Sequence, residues 1–464
     1  MIPTKIVCIG AGSASFGLNT LATLLRSPKL HGSHIALVDR NPGALRIVTE
    51  LAENLNLEWD AGMTISAHTH HLEALPEAEF VVSAIEVPPR EALWKSDYEI
   101  PLKYGVRQPY AENGGPGGFA HAARNIDPVL EIAYDIEQTC PDALLINYTN
   151  PMQRICDAVA RYTSVKVVGL CHQIGAGYAM VGKVLDEYLG IDVPADFNTT
   201  HSTPRANAAR ENVSRRAMEL VDIKAAGVNH FTWMLALHER ATGKDLYPLF
   251  REQWAAYDPK FEPLTRRVFN AFGLFPIPGD EHLCEYLPWV SDPLTKPWEK
   301  YELELYEWDL RAAMRATGRE DMQRMAAGEL SVEPLLEVHS EGAVEVIENL
   351  AGDGTLYWDA VNLPNQGYIP NLPEGAIVEV PGLLSGAGVL GVGVGPMPEA
   401  IAELLRREIT VSQLCVDAAV KGDRQIALQC LLLDPVITDL DVAQQVVDDY
   451  LLTYKEYLPS FWED

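Results

Sequence analysis

Positive charge is scarce in this chain: 36 Lys and Arg stand against 65 Asp and Glu, a formal net charge of −29. Such a field repels polyanions, which argues against nucleic acid or an anionic membrane surface as a partner. It does not exclude a small anionic substrate, because a local basic pocket overrides the global sign. Long apolar runs are missing too, and the glycine-broken 382–396 stretch is too interrupted to span a bilayer. No charged segment followed by an apolar one precedes the first strand-like run, so the expectation is a cytoplasmic protein without a secretory leader. The seven cysteines (Cys8, Cys140, Cys156, Cys171, Cys284, Cys415, Cys430) are odd in number and scattered, which suits free thiols better than a disulfide framework. There is no internal repeat, low-complexity tract or Pro/Ser-rich linker in the 464 residues, so one domain or two joined ones are expected.

The first part of the chain alternates short apolar runs with helical patterns. Strands are expected at Lys5–Gly10, Ile35–Asp39, Phe80–Ile85, Ala143–Asn147 and Val165–Leu170, with amphipathic stretches such as Ile126–Glu137 and Met180–Leu189 between them. That spacing predicts an α/β fold with a doubly wound parallel sheet over residues 1–190. Beyond Gly190 the alternation ends. Helical patterns at 303–327, 399–421 and 441–454 mix with extended pieces at 220–227 and 377–380, which predicts an α+β half over 191–464. The run Asn113-Gly114-Gly115-Pro116-Gly117-Gly118 within 108–119 reads as a loop that approaches a ligand by its backbone.

Several residues are candidates for chemistry. Gly10-Ala11-Gly12-Ser13 follows a strand and precedes a helix, the setting of a dinucleotide turn, although the next glycine, Gly17, comes later than GxGxxG requires. Asp39 ends the second strand, where an acid bonds the adenosine ribose and favours NAD over NADP. An ordinary βα turn remains an alternative. Cys171 closes an apolar strand in Gly169-Leu170-Cys171-His172, and His230 lies in Gly227-Val228-Asn229-His230. A thiolate and a neutral imidazole suit a divalent transition metal; a buried thiol and a core histidine fit the same residues. Asp280 sits in a Pro- and Gly-rich stretch with His282 and Glu285, either as a base on a loop or as a helix N-cap. Asn150, after the strand ending at Asn147, is either an N-cap or an amide facing a sugar or nicotinamide. His68, His70 and His71 read as a solvated edge. Arg205, Arg210, Arg215 and Arg216 form a basic island suited to an anionic substrate, an interface or a solvated loop.

Together these segments resemble the family 4 glycoside hydrolases, the NAD-dependent glycosidases. The resemblance runs in order along nearly the whole chain: IGAGS at 9–13, Gly114–Phe119 with Arg124, Asn147–Pro151, GLCH at 169–172, GVNHFTW at 227–233, Asp280 to Pro288, NLPNQG at 362–367 and VEVP at 378–381. It implies a Rossmann-like fold of the lactate/malate dehydrogenase-like superfamily. It implies NAD held by Gly10, Gly12, Ser13, Asp39 and Asn147, and a divalent metal, usually Mn²⁺, on Cys171 and His230. Substrate would be held by Asn150, Asn229 and Arg124, and the chain would form a homodimer or homotetramer. The Cys-Asn and Cys-Asp pairs of the phospho-glycosidases are absent. Cys171-His172 instead resembles the branch acting on unphosphorylated α-glucosides, galactosides or uronides.

The implied reaction is oxidation of the sugar at C3 by NAD, removal of the acidified C2 proton, elimination of the aglycone, addition of water and return of the hydride. The resemblance assigns Asp280 as the base and His172 as the acid toward the leaving oxygen. Two rival readings are a 2-hydroxyacid dehydrogenase, which would produce NADH and need no metal, and a non-catalytic NAD- or sugar-binding protein.

Overall fold

The first strand shows how the centre is built. In β1 (Lys5–Ile9), Ile6 and Cys8 enter one apolar cluster while Val7 and Ile9 enter another. β2 (His34–Val38) repeats the pattern, with Ile35 and Leu37 opposed to Ala36 and Val38. Strands apolar on both faces need helices on both sides, and each fully buried aliphatic side chain contributes about 1.5–3 kcal/mol to holding those layers together. The computed structural model describes residues 3–463 except 14, 15, 109, 196, 200–203, 304 and 353.

Six parallel strands form the N-terminal sheet: β1, β2, β3 (Thr64–His68), β4 (Phe80–Ser83), β5 (Leu144–Asn147) and β6 (Lys166–Gly169). Their order, β3-β2-β1-β4-β5-β6, is that of a dinucleotide-binding sheet, with the order reversing at β1. The sheet then continues into the second half by antiparallel pairing. Asn362 of β10 (Thr355–Pro364) pairs with Gly169, β11 (Ile377–Ser385) pairs with β10, and Glu379 of β11 pairs with Gly227 of β7 (Val221–Val228). β8 (Phe231–Glu239), β9 (Phe275–Pro276) and β12 (Gly388–Gly391) complete it. One sheet of 12 strands therefore joins both halves and brings the ends of β6, β7 and β11 together.

Two expectations change. The Gly-rich run is not all loop: a helix spans Gly115–Thr139, with Pro116 in its first turn. Its glycines serve close packing, since a Cβ on Gly114 would stand 2.6 Å from the Glu285 carbonyl oxygen and one on Gly117 2.6 Å from the Ala111 Cβ. His71 is buried rather than solvated, its Nε2 2.6 Å from Asp135 Oδ2. Of the dinucleotide-turn stretch, Ala14 and Ser15 lie outside the described residues, as do 202 and 203 of the basic island and the Arg205 side chain. Arg210 Nη1 donates to the Thr199 carbonyl at 3.0 Å, and Arg216 pairs with Glu219. All seven cysteines are free, and among the described residues no helix is long and apolar enough to cross a membrane.

Candidate active site

The βα turn after β1 is closed by its own backbone. Gly10 and Ala11 donate to the Val38 carbonyl at 2.9 and 3.1 Å, Ser13 donates to the Gly10 carbonyl at 3.1 Å, and Gly10 has φ +82°. Gly12 N–H donates to Asp39 Oδ2 at 2.8 Å, and a Cβ there would lie 2.7 Å from both that oxygen and the Ala44 Cβ. Gly10, Gly12, Ser13 and Asp39 thus meet in one turn beside the Phe16–Arg26 helix, a cradle that fits a dinucleotide's pyrophosphate and ribose.

Asn147 does not join them. Its amide is turned inward, with Oδ1 accepting from Thr149 N at 3.2 Å and Nδ2 donating to the Thr149 carbonyl at 3.0 Å. It shapes the turn that leads through the cis Asn150–Pro151 peptide. Asn150 sits on that turn, and its buried Oδ1 has no hydrogen-bond partner among the described residues. Such an acceptor is free for a ligand hydroxyl.

At the carboxyl end of β6, Cys171 Sγ lies 3.3 Å from His230 Nε2. His230 occupies the second position of the two-residue turn between β7 and β8, with φ +60°. The strain is offset by a fixed neighbour: Asn229 Nδ2 donates to Glu379 Oε2 at 2.7 Å, and Asn362 Nδ2 donates to the same oxygen at 3.0 Å. Asn229 also hydrogen-bonds the Cys171 sulfur, so its amide helps position the pair. Burial, with Glu341 and Glu379 nearby, pushes the Cys171 thiol well up, while burial beside His282 and His172 pushes His230 well down. A neutral imidazole and a thiol that ionises against a cation are a donor set that fits a divalent metal.

A third imidazole completes this end. His282, on the short helix Gly279–Leu283, stacks on His230 with ring centroids 4.1 Å apart. Its Nδ1 is 2.8 Å from Glu285 Oε1. The other oxygen, Glu285 Oε2, accepts the backbone N–H groups of Glu112, Asn113 and Gly114 at 3.0, 2.8 and 3.1 Å. Burial pushes the His282 imidazole down, but Glu285, Glu281 and Glu112 outweigh it and raise it to about 9. Glu112 in turn receives Arg90 Nη2 at 2.9 Å and Asn113 Nδ2 at 3.0 Å. Arg90 also reaches Glu86, whose carboxyl burial pushes up but His121, Arg90 and Asn125 hold at about 2.

Two of the expected site residues are engaged in structural hydrogen bonds. Asp280 points away from this cluster: its oxygens accept Leu264 N at 2.9 Å and Thr265 N at 2.6 Å, the first N–H groups of the Pro263–Phe272 helix. Its own N–H donates to Glu262 Oε2 at 2.5 Å, and burial beside Asp280 pushes Glu262 up to about 8. Asp280 therefore caps a helix other than its own. Arg124 is buried in a bidentate pair with Asp97 at 2.7 and 2.6 Å, its guanidinium over the Tyr454 ring. His172 stands at the exposed mouth beside Cys171, with Nδ1 2.5 Å from Glu341 Oε1, a contact that raises its pKa.

Glu112, Glu285, Glu379 and Asn362 were not singled out as site residues from sequence. His282 and Glu285 carried one signal, their i,i+3 spacing inside the segment around Asp280. Asn362 and Glu379 lie within the NLPNQG and VEVP segments, whose order along the chain was the available signal, and Glu112 is a single acid with no local pattern.

Comparison with known proteins gives the family. Residues 5–187 match the family 4 glycosyl hydrolases, and residues 225–437 match that family's C-terminal domain. The α-glucosidase of Erwinia rhapontici is 32% identical over 486 residues, covering 96% of each chain. The α-galactosidase of Bacillus subtilis (strain 168) is 28% identical over 464 residues, covering 98% of this chain and 99% of that one. Among solved structures, the Bacillus subtilis protein lplD, described as a glucosidase, superposes with TM-score 0.83 at 27% identity over 97% of this chain and all of that one. The 6-phospho-β-glucosidase of Thermotoga maritima, solved with manganese, NAD⁺ and glucose-6-phosphate, shares the fold with TM-score 0.76 at 21% identity, covering 98% of this chain and 99% of that one. The chain belongs to the family 4 glycosyl hydrolases and is a glycosidase.

Proposed function

We propose that this glycosidase cleaves an unphosphorylated, α-linked hexoside or hexuronide by oxidation at C3, proton loss at C2, elimination and water addition, using NAD and Mn²⁺. The observation that carries the reading is the Cys171–His230 pair, 3.3 Å apart, at the same carboxyl edge of the sheet as the Gly10–Asp39 turn. When bound, NAD supplies a hydride acceptor and donor, and the cation supplies positive charge to the sugar's oxygens.

The chain's own residues do the rest. Cys171 and His230 hold the cation, and Glu379 keeps the 229–230 turn in place through Asn229. Asn150 Oδ1, Asn113 Oδ1 and Gln173 Nε2 are buried without partners among the described residues and suit sugar hydroxyls. His172, held by Glu341, keeps a proton at the mouth for the departing oxygen. The names of relatives, an α-glucosidase, an α-galactosidase and α-galacturonidases, point the same way.

The test is aglycone release from aryl hexosides, hexuronides and their 6-phosphates in both anomers, with and without NAD⁺ and Mn²⁺. Turnover of an unphosphorylated α-substrate that needs both additions is expected. Turnover without either, or only of a 6-phosphate, would contradict the reading.

A further inference from the structure

Glu112, His230 and His282 each place a ligand atom within 4.8 Å of the other two, although they come from a loop, a β-turn and a short helix. The stack on His230 brings His282 to the metal end of the cleft, on a helix separate from the strands that carry Cys171 and His230. Its ring is also oriented. Glu285 takes Nδ1, and three backbone N–H groups from residues 112–114 fix Glu285 itself. A carboxylate on one imidazole nitrogen fixes the ring so that the other, here Nε2, binds a cation once its proton is displaced, which is how metal-binding histidines are set. A buried carboxylate with four donors around it does not swing away.

We propose that the divalent cation of the Cys171–His230 centre takes His282 as a third protein ligand, oriented by Glu285 and flanked by the Glu112 carboxylate. This rests on the metal-centre reading above and deepens it. With two protein ligands, the cation would depend on sugar oxygens for most of its shell. With three, the protein holds the metal before substrate arrives, and the sugar enters a charged site that is already assembled.

The experiment is Mn²⁺ titration of the full chain with NAD⁺ and no sugar, followed by electron paramagnetic resonance. Electron spin-echo modulation on the same samples counts the directly bound imidazole nitrogens. The wild type is expected to show two nitrogens, and His282→Ala one, with Mn²⁺ affinity at least about tenfold weaker. Glu285→Gln should keep both nitrogens but weaken binding about tenfold, the usual effect of losing an orienting partner. NAD⁺ affinity of each variant reports whether the fold is intact, and the wild-type nitrogen count stands even if a variant fails to fold. One nitrogen in the wild type, or unchanged affinity in His282→Ala while Cys171→Ser loses binding, overturns the third ligand and leaves the two-residue centre standing. Mn²⁺ binding indifferent to Cys171→Ser and His230→Ala overturns the metal centre and this inference with it.

Discussion

At the Gly10 turn the chain grips itself with backbone: a few N–H groups, the Val38 carbonyl and the Asp39 carboxylate, all within one βαβ unit. At the Cys171–His230 end the grip is electrostatic, and the parts come from β6, the β7–β8 turn, β11, the 112–114 loop and the Gly279–Leu283 helix. Backbone turns depend on local conformation and tolerate changes elsewhere. A buried carboxylate such as Glu379 or Glu285 holds its neighbours only while every donor stays in place, because an unpaired charge in that setting is costly. The difference predicts that changes at the Gly10 turn and at the Cys171–His230 end act on cofactor and metal binding separately.

The largest expected effect separates them directly. Cys171→Ser and His230→Ala should lower Mn²⁺-supported aglycone release roughly a thousandfold or more, as removal of a catalytic metal ligand does. NAD⁺ affinity by calorimetry should stay within about twofold, since the turn shares no residue with the pair. A parallel loss of NAD⁺ binding would break the comparison. Arg124→Ala, next in size, leaves Asp97 buried and unpaired and should cost about 3–5 kcal/mol in urea unfolding, with KM of the folded enzyme unchanged. A raised KM at wild-type stability would restore Arg124 to the substrate. Gly12→Ala is the mirror of the first: its Cβ collides with Asp39 and Ala44, and NAD⁺ should bind about tenfold more weakly, about 1.4 kcal/mol, with Mn²⁺ affinity unchanged. The smallest effect is at Asp280. Asp280→Asn keeps one acceptor for the Pro263–Phe272 helix and should cost about 1 kcal/mol, the worth of a cap, with turnover within about threefold. A thousandfold fall at full stability would make Asp280 the base after all.

How far each end could be read beforehand follows from the same contrast. Gly10, Gly12 and Asp39 announce themselves because a strand, a turn and a second strand lie in sequence order, and only glycine avoids the collisions at those positions. Cys171 and His230 were readable as types at strand ends, but their 3.3 Å approach depends on β10 and β11 inserting between β6 and β7. No periodicity reports that insertion. Asp280 and Glu285 show the limit most clearly. Both are buried acids of the 279–286 segment, yet one caps the Pro263–Phe272 helix and the other pins the 112–114 loop. Which carboxylate faces the cleft is a matter of helix phase and of neighbours far away in sequence. Arg124 is a like case: an arginine in a Gly-rich segment suits a ligand, and only the fold shows Asp97 opposite it on the packed helix Arg90–Leu102.

The most direct test of the account is turnover of a cleaved α-hexoside or hexuronide in D₂O with NAD⁺ and Mn²⁺, followed by inspection of C2 in the released sugar. Deuterium at C2, with no net NADH, is the predicted result, because the bond to the aglycone breaks only after the C2 proton has left. Protium retained at C2 at full turnover would contradict the oxidation–elimination chemistry assigned to the Cys171–His230 cleft.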